Sequence, residues 1–235
     1  NLKLWSPWIR NGQVKHSAAV GGVVTMLESL RELEGATDVT QFRAVLNGTC
    51  NFILDELHQG LDFDTALVRA QKLGLAEEDP SADIDGWDAA RKAALLVFEA
   101  WGEELDWRTF ALQGIRSLGT EDATRAEAAG TVLRLVVEGK RDGGKIQLTV
   151  APQWVPIGSP EANVSGADNC LTVHGTGGSL IECHGAGAGG LPTGVSVFGD
   201  ILSFLNDEDL IAGRKERRLI WNENDHSNTE ARQSN

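Results

Sequence analysis

Residues 131–150, TVLRLVVEGKRDGGKIQLTV, contain two runs of β-branched and apolar side chains, Thr131 to Val137 and Lys145 to Val150, joined by Asp142-Gly143-Gly144. Two such runs about a glycine turn predict a β-hairpin. A second hairpin is expected from residues 169–174 and 179–184, joined by Gly175-Thr176-Gly177-Gly178. Upstream of Gly130 the pattern is different and mainly helical. Val23, Met26, Leu27, Leu30 and Leu33 fall at helical spacing, with Glu28, Arg31 and Glu32 on the other side and Gly35 as the stop. A strand from Val39 to Leu46 leads through Asn47-Gly48-Thr49 into a helix carrying Phe52, Ile53 and Leu57. Asp62 or Asp64 caps a helix over 65–73, an acidic loop with Pro80 covers 74–86, and 87–101 is strongly helical. The apolar stretch 195–205 is expected to close the core as a last helix. The sum is an α+β (mixed α/β) fold, helices packed on a largely antiparallel or mixed sheet, in one domain over 16–205. Residues 1–15, with Trp5, Pro7, Trp8 and Asn11-Gly12 in no clear period, read as a linker, and 206–235 as a polar tail.

Composition narrows the function classes. With 235 residues and 41% hydrophobic content the chain can fill a real core. Its 21 basic and 34 acidic residues give a net charge of −13, a field that repels phosphate backbones and argues against a nucleic-acid partner. Cys50, Cys170 and Cys183 are widely spaced with no Cys-x-x-Cys pair, so buried free thiols in a reducing compartment are expected rather than disulfides or zinc. There is no apolar run of membrane-spanning length and no secretory signal, which points to a cytoplasmic protein without a membrane partner. The chain starts without Met, its single one being Met26, and so reads as a piece of something longer or a processed product.

The densest polar constellation is Glu77-Glu78-Asp79-Pro80-Ser81-Ala82-Asp83-Ile84-Asp85-Gly86-Trp87-Asp88, six carboxylates in twelve residues, with Lys92 at i+4 from Asp88. On its own this reads first as a solvated acidic loop with an ordinary helix-surface ion pair. A calcium loop is excluded, because the bidentate twelfth position would be Lys92. The third reading is a polar site in which the acids bind a cationic or hydroxyl-bearing substrate and Lys92 exchanges a proton. Gly185-Ala-Gly-Ala-Gly-Gly190 satisfies the G-x-G-x-x-G dinucleotide pattern, but too little chain follows for a Rossmann unit, and a glycine turn permitting close backbone approach fits better. His16, His58, His174, His184 and His226 show no metal-ligand spacing, so no metal site is expected and each His is read as structural or exposed.

Five motifs in order resemble the catalytic domain of the homoserine dehydrogenase family: Ala18-Ala-Val-Gly-Gly22; Leu46-Asn-Gly-Thr-Cys-Asn-Phe-Ile-Leu54; Ala70-Gln-Lys-Leu-Gly-Leu-Ala-Glu-Glu-Asp-Pro80; Asp83-Ile-Asp-Gly-Trp-Asp-Ala-Ala-Arg-Lys92; and Gly185-Ala-Gly-Ala-Gly-Gly-Leu-Pro-Thr193. The resemblance implies interconversion of L-homoserine and L-aspartate 4-semialdehyde with NAD(P), in threonine, methionine and isoleucine biosynthesis, by a homodimer joined through its sheet. It implies that Glu77 binds the substrate ammonium, Asp83 hydrogen-bonds the substrate, Asp88 and Lys92 handle the hydroxyl proton and Thr49 lines the pocket. Gly185, Gly187 and Gly189 would face the nicotinamide. The family's nucleotide-binding half does not match anything here, so residues 1–15 would arrive from that absent domain, and the chain alone is not expected to turn over. Ser17 stands where the family has Glu, which puts its structural sodium ion in doubt, and Val23, Thr25, Leu75 and Ala186 replace the usual Gly, Pro, Tyr and Pro. Those departures leave two rivals open: a non-catalytic dimerising or regulatory relative, and a dehydrogenase for another amino or hydroxy acid.

Overall fold

Period-two burial organises the second half of the chain. Along β3 (Thr131–Asp142) Leu133, Leu135 and Val137 point to one face, while Arg134, Val136 and Glu138 point to the other. β3 pairs over its whole length with β4 (Lys145–Pro156), so the first hairpin forms as predicted and extends further at both ends. β5 (Asp168–Gly175) and β6 (Gly178–Ala186) form the second. β1 (Val39–Val45) lies between β3 and β5, antiparallel to both, and joins the hairpins into one sheet. A two-residue strand, β2 (Ala111–Leu112), adds parallel to β4, giving the mixed order β2-β4-β3-β1-β5-β6.

The computed structural model describes residues 2–33 and 36–206. Helices α2 (Met26–Leu33), α3 (Gly48–His58), α4 (Phe63–Lys72) and α6 (Trp87–Trp101) lay their apolar sides on one sheet face. There Met26, Leu27, Leu54 and Leu96 meet Phe42, Leu135, Val150 and Val173 in the main core. A smaller cluster of Val45, Val136, Val155, Val164 and Cys170 fills part of the opposite face. α4 starts at the predicted cap, Asp62, which accepts the Thr65 N–H at 2.9 Å. α7 (Thr120–Ala128) leads into β3, and the acidic loop contains a single helical turn, α5 (Ser81–Ile84).

Several expectations are corrected. Residues read as an irregular linker hold a helix, α1 (Leu2–Arg10), despite Pro7 within it. The stretch expected to close the core belongs to α8 (Gly190–Asn206), none of whose residues is buried; Leu191 is 81% and Phe198 60% exposed. An apolar helix needs a covering surface, but its composition does not say that the surface is its own core. The chain divides into two units, the boundary falling between Ser196 and Val197. Cys50 and Cys170 are buried free thiols as expected, whereas Cys183 is only partly covered. The predicted stop at Gly35, the polar tail after Asn206 and His226 lie outside the described residues.

Candidate functional site

The central strand β1 ends at Val45, and two residues later Asn47 caps α3. Asn47 is extended, and its Oδ1 accepts the Cys50 N–H at 2.9 Å, an N-cap of the usual kind. That bond fixes which end of the amide is which, so Nδ2 is turned the other way. It donates to Asp83 Oδ1 at 2.7 Å and to Asp88 Oδ2 at 3.0 Å. Asp83 belongs to α5 and Asp88 to the first turn of α6, where a carboxylate also suits the helix dipole.

Gly86 makes that convergence possible. It joins the two helices with φ +84, and a Cβ there would sit 2.8 Å from Leu112 Cδ1. The loop is backed by the Ile115 N–H bonded to Ile84 O at 2.8 Å, and by Arg116, whose Nε and Nη2 hold the two Asp85 oxygens at 2.8 and 3.0 Å. Lys92, one turn along α6, places Nζ 2.8 Å from Asp88 Oδ2 and 2.9 Å from Leu46 O. Two of the three ammonium protons are thereby directed. With side chains 30% and 23% exposed, Asp88 and Lys92 remain open to a small molecule.

The sequence-derived site residues divide into groups. Asp83, Asp88 and Lys92 are brought together by Asn47, and the i,i+4 pair is more than a surface contact because it is tied to the end of β1. Thr49 is 8% exposed and its hydroxyl donates to Leu75 O at 2.7 Å, so it anchors the loop leading to Glu77. Glu77 is exposed, and its backbone carbonyl accepts from Gln71 Nε2 at 3.0 Å. Cys50 lies beneath, its thiol donating to Asp83 O at 3.3 Å; burial, then Asp83 and Asp88, push that thiol well above its ordinary value, keeping it neutral.

The glycine turn sits at the end of β6, where Ala186 O accepts the Val23 N–H at 3.3 Å. A Cβ on Gly187 would fall 2.1 Å from the Asn169 side chain, and one on Gly22 2.7 Å from Ala186 O, so both glycines serve close approach. Gly185 faces Val24 and Gly189 faces Pro192, while Gly190 leaves open space. The histidines have structural surroundings: His58 Nε2 accepts the Leu133 N–H at 3.1 Å, and His16 Nε2 lies 3.1 Å from Glu99 Oε1. No group of three metal-ligating side chains occurs among the described residues. Asn47 and Arg116 are the site residues that sequence reasoning passed over. Asn47 had a legible signal, a cap-forming side chain between a strand and a helix, whereas Arg116 is distant in sequence and had none.

A mixed sheet layered by helices, with lysine and carboxylates gathered at the end of the central strand, defines an α+β domain with one candidate polar site. The homoserine dehydrogenase family profile matches residues 26–202. A homoserine dehydrogenase of Synechocystis sp. is 36% identical over 193 residues, covering 80% of this chain and 45% of that protein. One from Methanocaldococcus jannaschii is 33% identical, covering 82% and 56%. The crystal structure of a Thiobacillus denitrificans homoserine dehydrogenase superposes with a TM-score of 0.79 at 35% identity, covering 86% of this chain and 49% of that one. A hyperthermophilic archaeal homoserine dehydrogenase mutant in complex with NADPH gives 0.67 at 30% identity, covering 80% and 54%. This chain belongs to the homoserine dehydrogenase family, and it spans about half the length of these relatives.

Proposed function

We propose that this chain is the substrate-binding and proton-transferring part of an NAD(P)-dependent homoserine dehydrogenase, interconverting L-homoserine and L-aspartate 4-semialdehyde. The observation that carries the proposal is Lys92, tied to Asp88 at 2.8 Å and Leu46 O at 2.9 Å with one proton position left over. Removing hydride from the carbinol carbon becomes easy only as its hydroxyl proton leaves. In the oxidation Lys92 acts as the uncharged amine, its lone pair at the remaining position taking that proton as the carbonyl forms, and in the reduction the resulting ammonium returns it to the aldehyde oxygen. Asp88 aims the Lys92 Nζ, 2.8 Å away. Glu77, exposed at the edge of the loop, offers its carboxylate to the substrate ammonium, and Asp83 accepts a hydrogen bond from the substrate.

NAD(P) supplies the hydride acceptor when bound. The open backbone at Gly190 fits the approach of a flat ring, with Gly185, Gly187 and Gly189 shaping the turn beside it. Ser17 offers only a hydroxyl where the family has its sodium-binding Glu, so no sodium ion enters the scheme. The biosynthesis of threonine, methionine and isoleucine is the setting this chemistry serves. A cytoplasmic location is supported by the free thiols and by the lack, among the described residues, of a helix long and apolar enough to cross a membrane. A homodimer joined through the sheet belongs to the same family-based reading.

The test is a calorimetric titration of L-homoserine into the chain, with and without NADP. Saturable binding that disappears in Glu77→Ala is expected. Binding that is indifferent to Glu77 would remove that residue from the ammonium site, and no heat under either condition would count against the substrate assignment.

A further inference from the structure

We propose that Asn47 is a positioning residue for the site: its one amide NH2 sets the separation and orientation of Asp83 and Asp88, and through Asp88 aims Lys92. The proposal rests on reading that cluster as the homoserine site. Its geometry stands independently. Nδ2 reaches Asp83 Oδ1 at 2.7 Å and Asp88 Oδ2 at 3.0 Å, one proton for each carboxylate. Oδ1 is held by the Cys50 N–H, so the amide has no freedom to flip. The residue is 4% exposed, and the next residue back, Leu46, supplies the carbonyl that holds Lys92.

Two carboxylates brought to one point repel each other unless positive density lies between them. Asn47 provides that density without a charge of its own, and it shares Asp88 Oδ2 with the Lys92 ammonium, at 3.0 and 2.8 Å. Asp83 Oδ1 and Asp88 Oδ2 are thereby held at one amide, and the second of these also orients Lys92. A helix cap alone would require only the Oδ1 contact. The second half of the amide has no capping role, and its two partners are the acids assigned to substrate.

That separation of roles gives the experiment. Asn, Asp and Ser cap helices almost equally well, so Asn47→Asp and Asn47→Ser keep the bond to Cys50 and lose the bridging NH2. Asn47→Ser is expected to melt within about 4 °C of the unsubstituted chain, and Asn47→Asp, which sets a third carboxylate beside Asp83 and Asp88, to melt lower at pH 7 and to recover as pH falls. L-Homoserine affinity at pH 7 is expected to fall at least about tenfold in Asn47→Asp, and the deficit to narrow as pH is lowered from about 8 to 5, because the added carboxyl takes up a proton. Asn47→Ser is expected to lose affinity without that recovery. A purely capping role predicts neither effect, and unchanged affinity in both variants overturns the proposal.

A measurement independent of homoserine is proton exchange at the Asn47 side-chain amide, followed by NMR in the 235-residue chain. Both protons are expected to be protected, one being released in Asp83→Ala and the other in Asp88→Ala. Free exchange of both in the unsubstituted chain overturns the bridge. If homoserine itself does not bind, the functional reading fails, and the amide exchange alone decides the role of Asn47.

Discussion

At the scale of single residues, the chemistry depends on how many of Lys92's protons are already committed. Two positions are, to Asp88 and to Leu46 O, and on the proposed reading the remaining one faces the substrate oxygen. A contact made to a group that changes its protonation during the reaction belongs to the transition state, so its loss appears in kcat rather than KM. Joined to a nucleotide-binding half, Lys92→Ala is expected to lower kcat for homoserine oxidation by about 10²–10⁴ with KM nearly unchanged. Asp88→Asn keeps a hydrogen-bond acceptor for Lys92 but removes the charge, and a smaller fall is expected. Steady-state kinetics at saturating NADP decide it, and an unaltered kcat in Lys92→Ala removes the lysine from proton transfer. Asp83, Asp88 and Lys92 were legible in the sequence because their spacing is local to one loop and one helix. The bridge between them was not, since Asn47 lies 36 residues before Asp83 and 41 before Asp88, and only the fold closes that gap.

At the scale of elements, the strand β1 that delivers Asn47 is seated by one contact of unusual shape. Phe42 stands directly opposite Gly139 on β3, and a Cβ added to that glycine would lie 2.4 Å from the Phe42 ring. Glycine in a strand interior is costly in entropy, but here it makes room for a fully buried aromatic ring on the neighbouring strand. Gly139→Ala is therefore expected to destabilise the chain by about 1–3 kcal/mol through overpacking, against the direction that strand propensity predicts. Urea unfolding measures it, and a stability equal to or above that of the unsubstituted chain would mean the ring can move aside at no cost. The hairpins and the helices α3, α4 and α6 could be read in advance because their signals, turn glycines, caps and periodicity, are carried within each segment. α1 was misread because Pro7 takes away the hydrogen bond its nitrogen would give to Lys3 O, a local signal for a break that the fold overrides. α8 was misplaced for the opposite reason: its apolar character is plain, but which surface it faces is not a property of the segment.

For the whole molecule, the titrating groups that folding perturbs set the pH range in which the chain is stable. His58 has its pKa lowered from 6.5 by burial and by Arg134, in keeping with Nε2 accepting the Leu133 N–H. Its neutral form is the folded one, so this stability is complete above 6.5 and is lost as pH falls through that value. Glu99 and Glu161 are held below 4.5: burial opposes their ionisation, but His16 and Arg31 around Glu99, and Arg43 beside Glu161, outweigh it. Their contributions are present above 4.5 and fade as the acid limb continues. Asp55 has the opposite sign, raised from 3.8 by burial against the pull of Arg134, and offsets part of that loss. On the alkaline side burial pushes Cys170 from 9.0 up to about 12 and Cys50 well above 9.0. A raised thiol stabilises the fold below 9.0 and loses that contribution as the unfolded chain ionises above it, up to about 1.4 kcal/mol per pH unit for each thiol. Each new thiolate also adds to a net charge already at −13. A plot of Tm against pH, with reductant present, is thus expected to be flat between about 6.5 and 9.0 and to fall on both sides. Cys170→Ala is expected to lower Tm throughout, by the small void it leaves, while making the alkaline limb shallower. An alkaline limb parallel to that of the unsubstituted chain would show that this thiol does not set it, and the loss above pH 9 would then rest on Cys50 and on the accumulating negative charge.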